Sequence, residues 1–251
     1  MLNLNTGILA ALPIVVPPRE QQDDVVQTLD SAGRQVILLE KLVAKKRDIK
    51  QGVMQQLLTA QSRLPGFDQD WVTVTLSEVA RIKTGRRNNQ DKQEWGRYPF
   101  FVRSAVVERI DSYSYDCEAI LVPGEGAIGS TFHYVDGKFE VHQRVYKISD
   151  FATDASGKFI YYVMRQYFGA HAMENSVKAT VDSLRLPTFL SFAMRVPDTR
   201  TEQEAIVRVL DDVGAELVAL ERRLESAREV KLGMMQKLLT GRTRLTEEIA
   251  A

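Results

Sequence analysis

The residues best suited to chemistry in this chain are cations and amides. Between Arg81 and Arg109 lie eight basic side chains (Arg81, Lys83, Arg86, Arg87, Lys92, Arg97, Arg103, Arg109) and three acidic ones (Asp91, Glu94, Glu108), a local balance of plus five. Within that stretch, Lys83-Thr84-Gly85-Arg86-Arg87-Asn88-Asn89 reads as a loop. It mixes cations that seek phosphate with amides that can hydrogen-bond base edges, the division of labour of a segment that contacts duplex DNA. His142-Gln143-Arg144 forms a second such group, and Lys178, Thr180 and Arg185 a third. Taken singly, each is ordinarily a solvated surface group. Their concentration in one stretch of chain gives them joint weight.

Other chemistries are weaker. Gly124-Glu125-Gly126-Ala127-Ile128-Gly129 fits the spacing of a dinucleotide-binding turn and follows an apolar run, Glu118 to Val122, suited to a buried strand. A phosphate-binding turn must open a helix, so that amides and dipole point at the pyrophosphate. Ser130 to Val135 instead reads as a strand, which leaves a tight glycine turn. His133, Glu140 and His142 have the composition of a two-histidine, one-carboxylate metal face, but cross-strand residues of this kind are ordinarily a polar sheet surface, and no metal is expected. No nucleophile, acid or base stands out by sequence context.

Composition sets the frame. Lys plus Arg and Asp plus Glu are 33 each in 251 residues, so no overall field draws the chain to nucleic acid or membranes, and binding must come from a local patch. The one cysteine, Cys117, makes no internal disulfide and no zinc site by itself, which fits a reducing cytoplasm. Ile8 to Val16 is apolar but short and broken by Pro13, and Pro17 and Pro18 follow it, unlike a signal peptide or a membrane span.

The elements that must position these groups fall into two kinds. From Pro65 to about Arg200 the pattern is mixed α and β. Trp71 to Thr75 alternates as a strand, Leu76 to Ile82 suggests a short helix, and Phe159 to Phe168 has helical spacing with its aromatics in the core. Phe132 to His142 reads as a hairpin around Asp136-Gly137. That pairing would send Phe132, Tyr134, Phe139 and Val141 to the core, with His133, Lys138, Glu140, His142 and Arg144 on the other side.

Flanking this region is an internal repeat. A shift of 181 positions superimposes Gln21–Leu64 on Glu202–Leu245 without a gap, with 17 of 44 positions identical. Gly52, Met54, Gln55, Leu57, Leu58 and Thr59 match Gly233, Met235, Gln236, Leu238, Leu239 and Thr240. Each copy carries a heptad seam: Val25, Leu29, Ala32, Val36, Leu39, Val43, Lys46, Lys50, Val53 and Leu57 in the first; Ile206, Leu210, Val213, Leu217, Leu220, Leu224, Ala227, Lys231, Met234 and Leu238 in the second. Helices of that length reach about 60 Å, farther than a domain of this size covers, so packing the two against each other, antiparallel, buries both seams. The seam lysines are expected to fix register or meet a partner protein, solvated lysines being the alternative.

Repeat and intervening domain together resemble the specificity subunits of type I restriction-modification systems. The resemblance rests on Val15-Val16-Pro17-Pro18-Arg19-Glu20-Gln21 and Val196-Pro197 to Glu202-Gln203 before the helices, Gly52-Val53-Met54-Gln55-Gln56-Leu57-Leu58-Thr59 and its second copy at their ends, and Trp71 to Gly85 opening the domain. It implies an α+β chain: one globular target-recognition domain that enters the major groove, plus two long helices in an antiparallel coiled coil. Its segments would be 1–18, the remnant of a preceding recognition domain or linker; 19–64, the first helix; 65–200, the recognition domain; 201–245, the second helix; and 246–251, a tail.

The resemblance further implies a non-catalytic cytoplasmic adaptor that binds methyltransferase subunits and, through them, a restriction subunit. S-adenosylmethionine would sit on the methyltransferase and no cofactor on this chain. With one complete recognition domain, two copies are expected to pair through the helices and select a symmetric, interrupted site. A coiled-coil interaction scaffold without DNA specificity is the alternative. The expected DNA contacts are Lys83, Thr84, Arg86, Arg87, Asn88, Asn89, Arg103, His142, Gln143, Arg144, Lys178, Thr180 and Arg185; the expected helix contacts are Val25, Leu29, Val36, Leu39, Val43, Ile206, Leu210, Leu217, Leu220 and Leu224.

Overall fold

A computed structural model describes residues 6–11, 14, 16–126, 129–174 and 183–244. In chain order the elements are α1 (Thr6–Ala10), α2 (Arg19–Leu58), β1 (Trp71–Thr75), α3 (Leu76–Val79), β2 (Arg81–Thr84), β3 (Tyr98–Phe101), β4 (Glu108–Ile110), β5 (Tyr115–Pro123), β6 (His133–Val141), β7 (Val145–Ser149), α4 (Gly157–Glu174), α5 (Leu186–Leu190), β8 (Ala193–Pro197) and α6 (Arg200–Leu238). The fold is α+β, with one mixed domain between two long helices. Two compact units result: Met1–Gln51 with Val213–Ala251, and Gly52–Asp212. Among the described residues no helix is long and apolar enough to cross a membrane.

In the first unit the two helices run antiparallel. Glu40 pairs with Arg228, and Arg47, farther along α2, pairs with Glu221, earlier on α6. Val36, Leu39 and Val43 bury against Leu217 and Leu224, with Leu220 and Ala227 half-buried beside them. Burying each such aliphatic side chain contributes about 1.5–3 kcal/mol, which marks this stretch as the stable centre of the pair. Val25 and Leu29 are half-buried and lie outside that cluster. The seam lysines are used within the pair: Lys46 binds Glu216, while Lys50 and Lys231 extend their ammonium groups over Gly214 and Gly33 of the opposite helix.

Four expected seam residues belong elsewhere, among them Val53 and Leu57 of the first helix. Ile206 and Leu210 are 2% and 1% exposed in the core of the second unit, with Leu57 and Leu58 in the same cluster. A heptad identifies an apolar stripe without naming its neighbour, and over the first turns of α6 the neighbour is the domain.

The second unit holds a two-stranded sheet, β1–β8, and a six-stranded sheet in the order β2-β7-β5-β6-β3-β4. All pairings are antiparallel except β3 with β6. Alternation along the central strands divides them between two cores. Ile120, Val122 and Ile148 face α4 and pack with Phe159, Met164 and Phe168. Ala119, Leu121 and Val145 face the other way and pack with Phe101, Phe139 and Val141. The α4 aromatics are therefore core. Trp71 meets Phe159 edge-on at 6.0 Å and donates from Nε1 to Glu202, a buried carboxylate that Arg63 holds through two hydrogen bonds at 2.8 and 2.9 Å.

Two local readings change. The helix expected from Leu76 to Ile82 stops at Val79, because Arg81–Thr84 pairs with β7, placing Ile82 opposite Ile148. The expected hairpin at Asp136-Gly137 is one continuous strand: Asp136 and Gly137 lie opposite Glu118 and Cys117 of β5. A ladder of seven residue pairs with β5 outweighs the local preference for a turn, and Gly137 carries its positive φ of 121° inside the strand. The faces change accordingly. His133 shares a face with Phe139 and Val141, while Tyr134, with Lys138 and Glu140 on its side, packs its ring 5.5 Å from Tyr161.

Candidate nucleic-acid interface

The site is assembled from loops at the ends of these strands. After β2 the chain passes over the end of β6 so closely that a Cβ on Gly85 would lie 2.0 Å from the carbonyl oxygen of Val141. Only glycine fits that crossing. Arg86 and Arg87 then donate backbone N–H groups to the same oxygen, and Gln143 donates its N–H to Arg87 O at 2.9 Å. Asn88 caps the one-turn 3-10 helix Asn89–Asp91 and accepts from Gln143 Nε2 at 2.6 Å. The expected loop Lys83–Asn89 is thus the end of a strand followed by a loop braced on the β6–β7 turn.

That turn, His142-Gln143-Arg144, meets the β3–β4 loop and the Gly124-Glu125-Gly126 turn. Two adjoining concavities result. One, of about 410 Å³, is lined by Asn89, Val102, Arg103, Ser104, Glu108, Glu125, Gly126 and His142. The other, of about 290 Å³, is lined by Thr84, Gly124, Glu125, Gln143, Arg144, Tyr146, Ser183, Leu184 and Arg185. Seven residues expected from sequence therefore converge: Thr84, Asn89, Arg103, His142, Gln143, Arg144 and Arg185. Lys83 and Arg86 are exposed and line neither concavity. Lys178 and Thr180 lie outside the described residues, as do Ala127 and Ile128 of the glycine-rich turn.

The electrostatics differ from the plain charge count. Lys92 pairs with Glu108, Arg97 with Asp111, Arg103 with Glu125 and Arg87 with the buried Glu140. Arg109 donates to the carbonyls of Gly96 and Arg97. The excess of plus five is consequently no uniform positive face, because Asp111, Glu125 and Glu140, outside the Arg81 to Arg109 stretch, neutralise three of the five. Among the described residues Arg81, Lys83 and Arg86 have no ion-pair partner.

Arg87 is chiefly structural. Its carboxylate partner is 1% exposed and also accepts from Ser114 Oγ at 2.6 Å and from Val141 N–H at 3.0 Å. His142 is 4% exposed, and its Nδ1 accepts the Arg144 N–H at 3.0 Å, which leaves the proton of the neutral ring on Nε2. Burial pushes its pKa below the ordinary imidazole value, and the nearby Arg103 and Arg144 add to that depression. The three residues weighed as a metal face have separate engagements: His133 Nε2 with Ser104 O, Glu140 with Arg87, and His142 with Arg144. Among the described residues no cluster of His, Cys, Asp and Glu could hold a metal ion.

The sequence reading missed Glu125, which lines both concavities, and Trp95, 89% exposed on a turn before β3. Glu125 stood in plain view inside the glycine motif, but its partners are 19 and 22 residues away, and no local pattern reveals them.

Comparison with known proteins gives a consistent picture. The sequence pattern of the type I restriction modification DNA specificity domain matches residues 68–227. The chain is 28% identical over 171 residues to the type I restriction enzyme EcoDI specificity subunit of Escherichia coli, a match over 68% of this chain and 37% of that protein. Its identity to the MjaVIII specificity subunit of Methanocaldococcus jannaschii is 20% over 284 residues, covering 97% of this chain and 65% of that one. The chain thus spans from about a third to two thirds of these relatives' length. In fold it is similar to the crystal structure of the S subunit from M. genitalium, with a TM-score of 0.70 at 14% identity over 94% of this chain and 65% of that one. It is likewise similar to the HsdS subunit from Thermoanaerobacter tengcongensis, with a TM-score of 0.56 at 17% identity over 91% and 60%.

Proposed function

Because the chain belongs to the type I restriction-modification DNA specificity family, we propose that its mixed domain reads duplex DNA and directs partner methyltransferase subunits to the bound site. The observation that carries this reading is the convergence of Thr84, Asn89, Arg103, His142, Gln143, Arg144 and Arg185 on two adjoining concavities. Arginine, amide and imidazole groups there match the donors and acceptors of base edges. Lys83 and Arg86, outside the concavities and with no carboxylate partner among the described residues, supply phosphate contacts that set the domain's register on the helix.

On this reading the chain works in the cytoplasm and performs no chemistry. The methyltransferase holds S-adenosylmethionine, and a restriction subunit joins through it. The adaptor's task is to hold the duplex while its partner takes a base out of the stack. One recognition domain lies between the two helices, so two copies associated through helices would present two identical domains to a symmetric, interrupted site.

Selection of bound duplexes from a random pool, with the methyltransferase subunit present, tests the reading. Enrichment of one site, with affinity falling steeply as salt rises, is the expected result. Absence of any preferred duplex would leave a scaffold without DNA specificity. For the pairing of copies, ultracentrifugation showing a strict monomer with and without DNA would refute it.

A further inference from the structure

The Gly124-Glu125-Gly126 turn has no role in the function argued so far. Glu125 Oε2 accepts from Arg103 Nη1 at 3.1 Å, and Oε1 accepts from Arg144 Nη1 at 2.9 Å. One carboxylate therefore anchors two guanidinium groups that arrive on different loops. The turn that carries it is firmly placed. Gly124 N–H donates to Arg144 O at 2.8 Å, and Gly124 O accepts from Leu184 N–H at 2.8 Å. A Cβ on Gly124 would come within 3.0 Å of the Tyr146 ring, and Gly126 has φ +95°, a conformation that favours glycine. Arg144 is fixed again by its own N–H on His142 Nδ1.

Exposure shows which way these groups act. Glu125 is 26% exposed, whereas the Arg103 and Arg144 side chains are 54% and 60% exposed. Each guanidinium gives Glu125 one nitrogen and has no other side-chain hydrogen bond among the described residues, so a donating edge of each remains open. We infer that Arg103 and Arg144 read guanine, with their open edges held toward the duplex by Glu125. This rests on the DNA-reading function proposed above. A guanine presents O6 and N7 as neighbouring acceptors in the major groove, the match for the two donors of a guanidinium fork.

Phosphate is the weaker partner for this arrangement. A carboxylate beside both cations repels an incoming anion, and it leaves the trio with a net charge of only plus one. The guanine edge is neutral and meets no such repulsion. Two long side chains already held in place also lose less rotamer freedom on binding. Glu125 is thus a positioning residue, and the arginines are the contacts.

The test uses the full chain with its methyltransferase subunit and the site selected from random duplexes. That site should contain guanine at fixed positions. Replacing such a guanine by 7-deazaguanine, which lacks the N7 acceptor, should weaken binding on the order of ten- to a hundredfold. Arg103→Lys and Arg144→Lys, which lose the planar fork and keep the charge, should each abolish that sensitivity at one position. Glu125→Ala should lower discrimination between guanine and other bases while binding to random duplex stays equal or tightens. Glu125→Gln, which keeps size and an acceptor, should retain part of the discrimination and controls for folding. A selected site without guanine, a 7-deazaguanine penalty unchanged in both lysine variants, or an equal loss of specific and random binding in both Glu125 variants would overturn the assignment. Failure to select any site would remove the DNA-reading function itself, and this assignment with it.

Discussion

Arg47 donates two hydrogen bonds, at 2.6 and 3.1 Å, to a single oxygen of Glu221 on the opposite helix. The repeat makes this contact one of a pair. A shift of 181 positions carries Arg47 onto Arg228 and Glu40 onto Glu221, and Arg228 donates to Glu40 at 2.7 Å. The same shift relates Gly33 to Gly214 and Lys50 to Lys231, so the contact of lysine over glycine is also used twice. Two like helices packed antiparallel have a pseudo-twofold axis between them, and these contacts are its signature. Lys46 and Glu216 break the symmetry, because the equivalent positions are Ala227 and Gln35.

Charge reversal tests that register. Arg47→Glu should destabilise the helix pair by up to about 1 kcal/mol, the range for exposed ion pairs, and adding Glu221→Arg should restore most of the loss. The effect should shrink as salt rises. A urea double-mutant cycle reads it, and additive losses in the double variant would refute the pairing.

Two glycine substitutions should have opposite signs. Gly214→Ala lies within a helix and would meet only the flexible end of Lys50, 3.8 Å away. Better helix propensity should then stabilise by about 0.5–1 kcal/mol. Gly85→Ala would drive a Cβ into the backbone at Val141, with overpacking costing about 1–3 kcal/mol and displacing the loop that carries Arg86 to Asn89. Thermal melts of the two variants measure both, and equal signs would contradict the geometry.

Arg86 and Arg87 are adjacent in sequence and differ in role. Arg86→Ala should leave stability unchanged, weaken binding to all duplexes alike and lower the salt slope by about one. Arg87→Ala should cost about 1–3 kcal/mol of stability, because it leaves the buried Glu140 short of its cation. Denaturation curves and salt titrations of DNA binding on both variants separate the roles.

How far the sequence is legible depends on the range of the interaction that decides each element. The Trp71–Thr75 strand follows from its own alternation, and the centre of the helix pair from its heptads, with Val36, Leu39, Val43, Leu217 and Leu224 buried there. Ile206 and Leu210 show the same spacing, yet they enter the domain core. Asp136-Gly137 carries a strong local turn signal that the β5 ladder overrides. In the site, seven of the residues singled out by type line the two concavities. The neutralising carboxylates were not legible, because Glu125 and Glu140 reach arginines supplied by distant segments.

His142 makes the stability of the domain depend on pH. Burial, reinforced by Arg103 and Arg144, holds its pKa below the ordinary imidazole value, while Glu125 and Asp91 pull weakly the other way. The sign follows from linkage. In the unfolded chain the imidazole takes up a proton near pH 6.5, and in the folded domain it does so only at lower pH. Its contribution to stability is therefore complete above about pH 6.5 and is lost as pH falls through the folded value, with a slope of at most about 1.4 kcal/mol per pH unit. Protonation would also convert Nδ1 from acceptor to donor and break the bond from the Arg144 N–H that holds the β6–β7 turn. Urea denaturation at pH 7.5 and at successively lower pH should show this loss in the wild type and a smaller one in His142→Gln, which lacks the titrating group. Equal slopes in the two proteins would place the pH sensitivity elsewhere.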